Sequence, residues 1–322
     1  MKLMQIITAV FVATLLVSSI PASAAAQNYK LGVQTGTTSD TYAAASLTNA
    51  DVSGFDTIDL AIKALEQGDV DFVLGDLPTL KFYQADKDGL SIAGSFSEED
   101  FGIGVKKGES ELLAAINVAL GEIVASGDYD TIYAKTFPNE VVVLTDDTTS
   151  STATAYPNAT ANGTLDNILK DNGTITFGSD TTYPPFESIA ADNSTVVGFD
   201  ADIADAIAAK WAAHYNLTNF TATMKTKTWD DLLAFGYDDY DATLSAMTKT
   251  AQRAEKTDFS RAYYSSKQGI LASADSPTIT GVSDLNGTYE VAAAATEDDS
   301  PSLPVLVSAL AIGLIAVARR KH

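Results

Sequence analysis

Gly-Asp-Val-Asp-Phe-Val-Leu-Gly-Asp (residues 68–76) places three large apolar residues, Phe72-Val73-Leu74, between acidic residues and glycines. A short apolar run bounded by turn residues reads as a strand buried on both faces, the kind found inside parallel sheets. Upstream, Ile58, Ala61, Ile62 and Leu65 fall on one face of a helix over Ile58–Gln67, and Tyr29–Gln34 reads as a strand ending at Thr35-Gly36. Downstream, Leu112, Leu113, Ile116, Ala119, Leu120 and Ile123 predict a long amphipathic helix over Ser110–Ala125. Strands alternating with helices argue for an α/β fold with a largely parallel sheet.

After the apolar run Val141–Leu144 the chain changes character. Thr145 to Thr164 is mostly Asp, Thr, Ser, Ala and Asn without apolar periodicity, which predicts a flexible linker. A second α/β unit follows, with strands at Thr174–Ser179, Phe220–Lys225, Ala242–Ser245 and Lys267–Ala272. Its helices are expected over Ala201–His214, with Asp200 as N-cap, and as a turn at Trp229–Leu233. The two units do not look like copies of one another, so they read as complementary lobes.

The termini carry their own signals. Lys2, the apolar run Ile6 to Val17 and Ala22-Ser23-Ala24 have the three parts of a secretory signal peptide. An exported chain without cysteine must be held by packed cores, and roughly 250 mature residues suit two domains. Near the C-terminus an uncharged run, Pro304 to Ala318, is followed by Arg319-Arg320-Lys321-His322, the pattern of a membrane anchor or a sorting signal. Glu297, Asp298 and Asp299 precede it as a polar stalk. Net charge of −22 excludes nucleic acid as a partner, since no basic stripe can neutralise phosphates. Asn-x-Ser/Thr triplets at Asn158, Asn162, Asn172, Asn193, Asn216, Asn219 and Asn286 agree with a surface glycoprotein.

Five stretches together resemble one family. Gly-Val-Gln-Thr-Gly-Thr-Thr-Ser (32–39) and residues 68–76 resemble the second lobe of the amino-acid-binding extracellular solute-binding proteins, family 3, that feed ABC importers. Thr-Tyr-Pro-Pro-Phe-Glu (182–187), Gly-Phe-Asp-Ala-Asp-Ile-Ala (198–204) and Ser-Ala-Met-Thr-Lys-Thr-Ala-Gln-Arg (245–253) resemble its first lobe. In that family the second set comes first. The resemblance implies a two-lobed, type II periplasmic-binding-protein-like sandwich with its lobes circularly permuted, plus a C-terminal membrane helix. The expected organisation is a signal peptide at 1–26, an α/β lobe over 27–144 and a Thr/Asn-rich linker over 145–170. The other lobe, with the start of the next, follows over 171–288, then a stalk at 289–302 and the anchor or sorting segment at 303–322. The two lobes are expected to pair within one chain or as a swapped dimer.

A free amino acid offers a carboxylate and an ammonium on one carbon, so its site needs a donor fork, an acceptor carboxylate and an apolar wall. Arg253 matches the family's carboxylate-binding arginine; a guanidinium can hold a carboxylate through two parallel hydrogen bonds. Ser245, the Ala246 backbone and the Thr248 hydroxyl would add donors or orienting groups. Asp76, at the C-terminal edge of its strand, matches the family's acceptor for the ammonium, a reading preferred to that of a helix N-cap. The turn Gly36-Thr37-Thr38-Ser39 would present amides and hydroxyls to the ligand carboxylate, with Gly36 allowing close approach. In the family an aromatic in the Tyr183 context stacks on the ligand side chain, and Trp229 closes the opposite face or packs in the core. Asp180 either meets a polar ligand side chain or caps its loop.

The implied function is capture of a free amino acid, or a similar small zwitterion, on the extracellular face of the cell membrane for delivery to an ABC importer. A periplasmic dehydratase-like enzyme and a ligand-sensing ectodomain are the alternatives on the same scaffold. The residues favour binding over catalysis. The histidines are His214 and His322, and no thiol is present as a nucleophile. No cofactor or metal site is expected, because Asp238-Asp239 with Asp241, and Asp146-Asp147, lack a Ca²⁺-loop pattern.

Overall fold

The computed structural model describes residues 25–142, 144 and 154–291. Phe72–Asp76 is a strand with every residue buried, as its apolar run requires. Lys30–Gln34 pairs with it in parallel, and Thr257–Ser273 pairs with it antiparallel on the other side. Alternation sends Phe72 and Leu74 to one face with Leu31, Val33 and Leu47, and Val73 to the other with Ile58, Ile62 and Leu65. The helix Ile58–Gln67 starts at Thr57, whose hydroxyl accepts from the Leu60 N–H, and stops at Gly68 with φ +76°. A left-handed C-cap of that kind suits glycine, which has no Cβ to clash.

The main sheet has eight strands: Thr221–Thr226, Thr174–Ser179, Ala242–Thr243, Leu90–Lys106, Thr257–Ser273, Phe72–Asp76, Lys30–Gln34 and Asp51–Phe55, in spatial order. The two central strands are 17 residues each and run antiparallel from the pair Thr257 and Lys106 to the pair Ser273 and Leu90. They divide the sheet into halves. Ala242–Thr243 pairs with Gly104 and Val105 in one half, while Phe72–Asp76 pairs with Gln268–Ala272 in the other. Between these points the ladder is irregular, with register shifts at Phe259/Ala262, Ala262/Tyr264 and Lys267/Gln268. The sheet is thus mixed rather than largely parallel, since parallel pairs occupy its wings and antiparallel pairs its centre.

This path corrects several expectations. Residues 27–144 do not stay in one half. Up to the first long strand they build one half, and beyond it the helix Ser110–Ser126 packs on Phe199–Tyr215, where Trp211 Nε1 donates to the Ala115 carbonyl at 3.2 Å. The expected linker 145–170 is packed over its described part, 154–170. There Tyr156 stacks on His214 at 4.1 Å between centroids, its hydroxyl donates to Glu122 at 2.7 Å, and Leu165 and Ile168 are buried. A few anchoring side chains suffice to hold a segment whose composition has no period. The helix expected at Ala201 begins at Phe199 after Gly198, so Asp200 lies inside the first turn, fully buried, instead of capping it. The strand expected at Lys267–Ala272 is the far end of one that starts at Thr257.

Residues Gln27–Tyr289 form one compact unit; of the second unit only Ala25, Ala26, Glu290 and Val291 are described. The rest of the expected signal peptide, the stalk beyond Val291 and the expected anchor at 303–322 lie outside the described residues. Among the described residues no single helix is long and apolar enough to cross a membrane.

Gly198 is the tightest backbone position beside the cleft. Its φ is +132°, and a Cβ there would stand 2.2 Å from the Phe186 carbonyl oxygen. Gly198→Ala is expected to cost at least about 3 kcal/mol, because a strained φ and a backbone clash coincide. The midpoint of urea denaturation, compared with the unsubstituted protein, measures that loss.

Candidate functional site

Strand ends and helix starts from both halves of the sheet meet at one small cavity. Gln34, Thr37, Thr38 and Asp76 line it from one half, and Asp180, Tyr183, Glu187, Trp229, Ser245, Ala246, Thr248 and Arg253 from the other. Its volume is about 20 Å³, room for a single water and far too small for an amino acid. The cleft is closed and self-filled. A larger groove of about 1140 Å³, lined by Thr38, Glu99, Thr248 and Gln268 among others, opens beside it.

Arg253 sits in the short helix Ala251–Ala254, which starts at Thr250, whose hydroxyl accepts from the Arg253 N–H. Its guanidinium is buried. Nη1 donates to the Thr248 carbonyl at 3.0 Å and Nη2 to the Gly36 carbonyl of the opposite half at 3.1 Å. The Trp229 ring lies 5.2 Å from the guanidinium carbon, a cation–π distance, so Trp229 is a half-buried wall of this cavity. Burial works against the Arg253 charge, while Asp76 and Glu99 support it.

Asp76 precedes the helix Leu77–Asp86, yet its side chain makes no cap hydrogen bond. It turns to the cleft instead. Oδ2 accepts from the Tyr183 hydroxyl across the halves at 2.9 Å, and Oδ1 accepts from Gln268 Nε2 at 2.5 Å. The same Gln268 amide donates to Glu99 Oε1 at 2.6 Å and to the Thr38 hydroxyl at 3.1 Å, and its carbonyl accepts from Ser39. Glu99 Oε2 accepts from the hydroxyls of Thr248, at 2.7 Å, and Thr38, at 3.2 Å. Burial raises the pKa of Asp76, against hydrogen bonds from its neighbours and the charge of Arg253. Burial also raises Glu99, and the adjacent Asp76 charge raises it further. Two buried carboxyls bridged by one amide share a proton more readily than they both ionise.

Several expected donors are already used. The Gly36 N–H donates to Asp40 at 2.9 Å, so Gly36 offers its carbonyl rather than its amide. The Ala246 N–H donates to Asp200 at 2.8 Å, and the residue is held at φ +41°. Ser245 donates to Glu187 at 2.7 Å and accepts from the Asp180 N–H at 2.9 Å. The Asp180 carboxylate accepts from the Thr182 hydroxyl at 2.8 Å and from Gln34 of the other half at 3.3 Å, so it both orders its own turn and faces across the cleft. Gly36, Thr38, Ser39, Asp76, Asp180, Tyr183, Trp229, Ser245, Ala246, Thr248 and Arg253 are therefore brought together at the cleft, with Gly36 and Ser39 one contact behind its lining. Among the described residues no group of three or more acidic or histidine side chains is arranged to hold a metal ion.

Sequence reasoning missed Gln34, Glu99, Glu187, Asp200 and Gln268. Glu99 lies in Ser97-Glu98-Glu99-Asp100, which looks like a solvated acidic run. Glu187 and Asp200 stand next to Phe186 and Phe199; an acid beside a buried aromatic in each motif was the available signal.

Residues 175–318 match the model for bacterial extracellular solute-binding proteins, family 3. Over that stretch the chain resembles family 3. It is 36% identical over 114 residues to the ABC transporter arginine-binding protein 1 of Escherichia coli (strain K12), covering 35% of this chain and 43% of that protein. It is 34% identical over 117 residues to a probable histidine-binding protein of Neisseria gonorrhoeae, covering 34% of this chain and 44% of that protein. Among solved structures, an ancestral cationic amino acid solute-binding protein is 33% identical, covering 30% of this chain and 38% of that one, with a TM-score of 0.26. The chain spans less than half the length of these curated relatives. The family match takes in the Asp180 to Arg253 side of the cleft and leaves out Thr38 and Asp76.

Gln268→Leu removes the amide that bridges Asp76 and Glu99 and is expected to destabilise the protein by about 1–3 kcal/mol. Both carboxyls have raised folded pKa values, so their proton-linked stability is complete below the unfolded carboxylate range, near ~4, and is lost as pH rises through the raised values. Without the bridging donor that loss deepens, so urea melts should show a larger deficit for the variant at alkaline pH than at mildly acidic pH.

Proposed function

We propose that the protein is an exported solute-binding protein that closes on a free amino acid between the two halves of its sheet and delivers it to an ABC importer. The observation that carries this reading is the convergence of Arg253, Asp76, Thr38 and Thr248 on one closed cavity. Arg253 would take the ligand carboxylate in its planar fork, exchanging the Thr248 and Gly36 carbonyls for two charge-assisted bonds. Asp76 would take the ammonium, with Tyr183 steadying the carboxylate. Tyr183 and Trp229 would wall the side chain, and Asp180 would meet its polar end. Relatives named for arginine and histidine binding support an amino acid as the cargo.

Ligand entry requires the halves to part, since the closed cavity holds no more than a water. The irregular middle of the two long strands is the natural hinge, because missing ladder bonds there leave the backbone free to bend. The halves are read as the family's lobes in transposed order. Supporting this, the family match begins at residue 175, while residues 30–76 complete the sheet through the returning strand Thr257–Ser273. The cross-cleft bonds of Asp76 to Tyr183 and of Arg253 to Gly36 would form equally within one chain or between the chains of a swapped dimer. Residues 1–26 would direct export, and 303–322 would hold the protein at the extracellular face of the cell membrane or serve as a removable sorting signal.

Calorimetric titration with L-arginine, L-histidine and L-cystine is expected to find a ligand near micromolar affinity, about 8 kcal/mol. Arg253→Lys should weaken it about 10- to 100-fold, since a point charge cannot replace the planar fork. Asp76→Ala should cost about 2–5 kcal/mol by leaving the ammonium buried and unpaired. Unchanged affinity in both variants would remove the assignment.

A further inference from the structure

Beside the cleft lies a second buried acid pair, of which Glu187 also lines the small cavity. Glu187, on the short strand Glu187–Ile189, and Asp200, in the first turn of Phe199–Tyr215, are both fully buried. Glu187 Oε1 accepts from the Ser245 hydroxyl at 2.7 Å; Asp200 Oδ2 accepts from the Ala246 N–H at 2.8 Å and the Tyr263 hydroxyl at 2.9 Å. The other oxygens, Glu187 Oε2 and Asp200 Oδ1, are buried without a hydrogen-bond donor, and the two carboxyls lie close enough for each to act on the other's ionisation. Ionised carboxylates are acceptors only, so these two oxygens can satisfy each other only if one of the carboxyls carries a proton.

Two of the three donors this pair engages, Ser245 and Ala246, are on the turn that serves the ligand, and the third, Tyr263, is on the long strand Thr257–Ser273. Ser245 bridges Glu187 to the Asp180 backbone, and Ala246, at φ +41°, donates its N–H to Asp200. Thr248 and Arg253 follow directly. We propose that Glu187 and Asp200 hold one proton between them and that this proton positions the Ser245–Thr248 turn, and through it Arg253, for the amino acid. The inference rests on the reading of the cleft as an amino-acid site and adds two positioning residues, Glu187 on the cavity lining and Asp200 behind it.

When the proton leaves, two neighbouring buried carboxylates repel inside a dry core. Relief requires one of them to leave its donor on Ser245 or Ala246, which moves the turn. Burial pushes Asp200 up to about 7, and burial with the Asp200 charge drives Glu187 up as well. The titratable groups acting on the pair are Asp180, whose charge raises Glu187, and the phenols Tyr263 and Tyr129, which face Asp200. All three are neutral or anionic in the working range, so none replaces the proton with a fixed positive charge. The cleft pair Asp76 and Glu99 acts in the opposite sense, since a proton lost there adds negative charge facing the ligand ammonium.

The test compares the unsubstituted protein with Glu187→Gln, whose amide donates to Asp200 permanently and so stands in for the shared proton. The dissociation constant for L-arginine, measured by calorimetry at about pH 6 and about pH 8.5, is expected to rise about tenfold in the unsubstituted protein and less than about twofold in the variant. An equal rise in both proteins, or none in the unsubstituted one, overturns the proposal. Melting temperature without ligand gives a second readout. A raised carboxyl pKa contributes stability that is complete below the unfolded carboxylate range and lost as pH climbs through about 7. The unsubstituted protein should therefore lose more melting temperature over this interval than Glu187→Gln, and equal losses overturn the shared proton. If no amino acid binds at either pH, the cleft reading fails, while the melting comparison still decides the proton.

Discussion

Two antiparallel strands carry the whole arrangement. Leu90–Lys106 and Thr257–Ser273 pair from end to end, and each lends its two ends to different halves of the sheet. Because they are the covalent and hydrogen-bonded link between the halves, every cross-cleft contact depends on their register. Glu99 and Gln268 sit on these strands where the ladder shifts, and both reach into the cleft. The link and the site are therefore one piece of structure, and a bend in the strands must move the acid pair that faces the ligand.

The electrostatics of the cleft are unusual in their sign. Asp76, Glu99, Asp180, Glu187 and Asp200 are all buried near a single guanidinium, and burial raises the pKa of each. Such a cluster is tolerable only when protons are shared and every remaining oxygen finds a donor, which the threonine, serine, tyrosine and glutamine side chains supply. The protein's own carbonyls hold Arg253, and its own carboxyl, Glu99, holds the hydroxyls of Thr38 and Thr248. A ligand has to compete for those partners, which sets part of its binding free energy against internal hydrogen bonds.

The elements that bury one clear face were legible in the chain. Phe72–Asp76, Ile58–Gln67, Ser110–Ser126 and Thr174–Ser179 stand where apolar runs and helical spacing put them. The long strands were not, since Ser, Gly and acidic residues interrupt Leu90–Lys106, and Ser260, Arg261, Ser265 and Ser266 interrupt Thr257–Ser273. Those interruptions are the crossing itself, where side chains leave one core and enter another or face the cleft. Glu99 was hidden for the same reason: an acidic run in the sequence is indistinguishable from solvated surface until a partner strand covers it.

Local chemistry determined which side chains are able to grip a zwitterion, because a guanidinium beside a strand end or a carboxylate after a buried strand carries its character wherever it is placed. Only the tertiary structure decided that Asp76 from the first hundred residues and Arg253 from the last hundred line the same cavity. It also decided which donors are already spent within the protein. The reason is geometric: hydrogen-bond partners 107 and 217 residues apart, as for Asp76 with Tyr183 and Gly36 with Arg253, are set by how two long strands pair, and no local period encodes that.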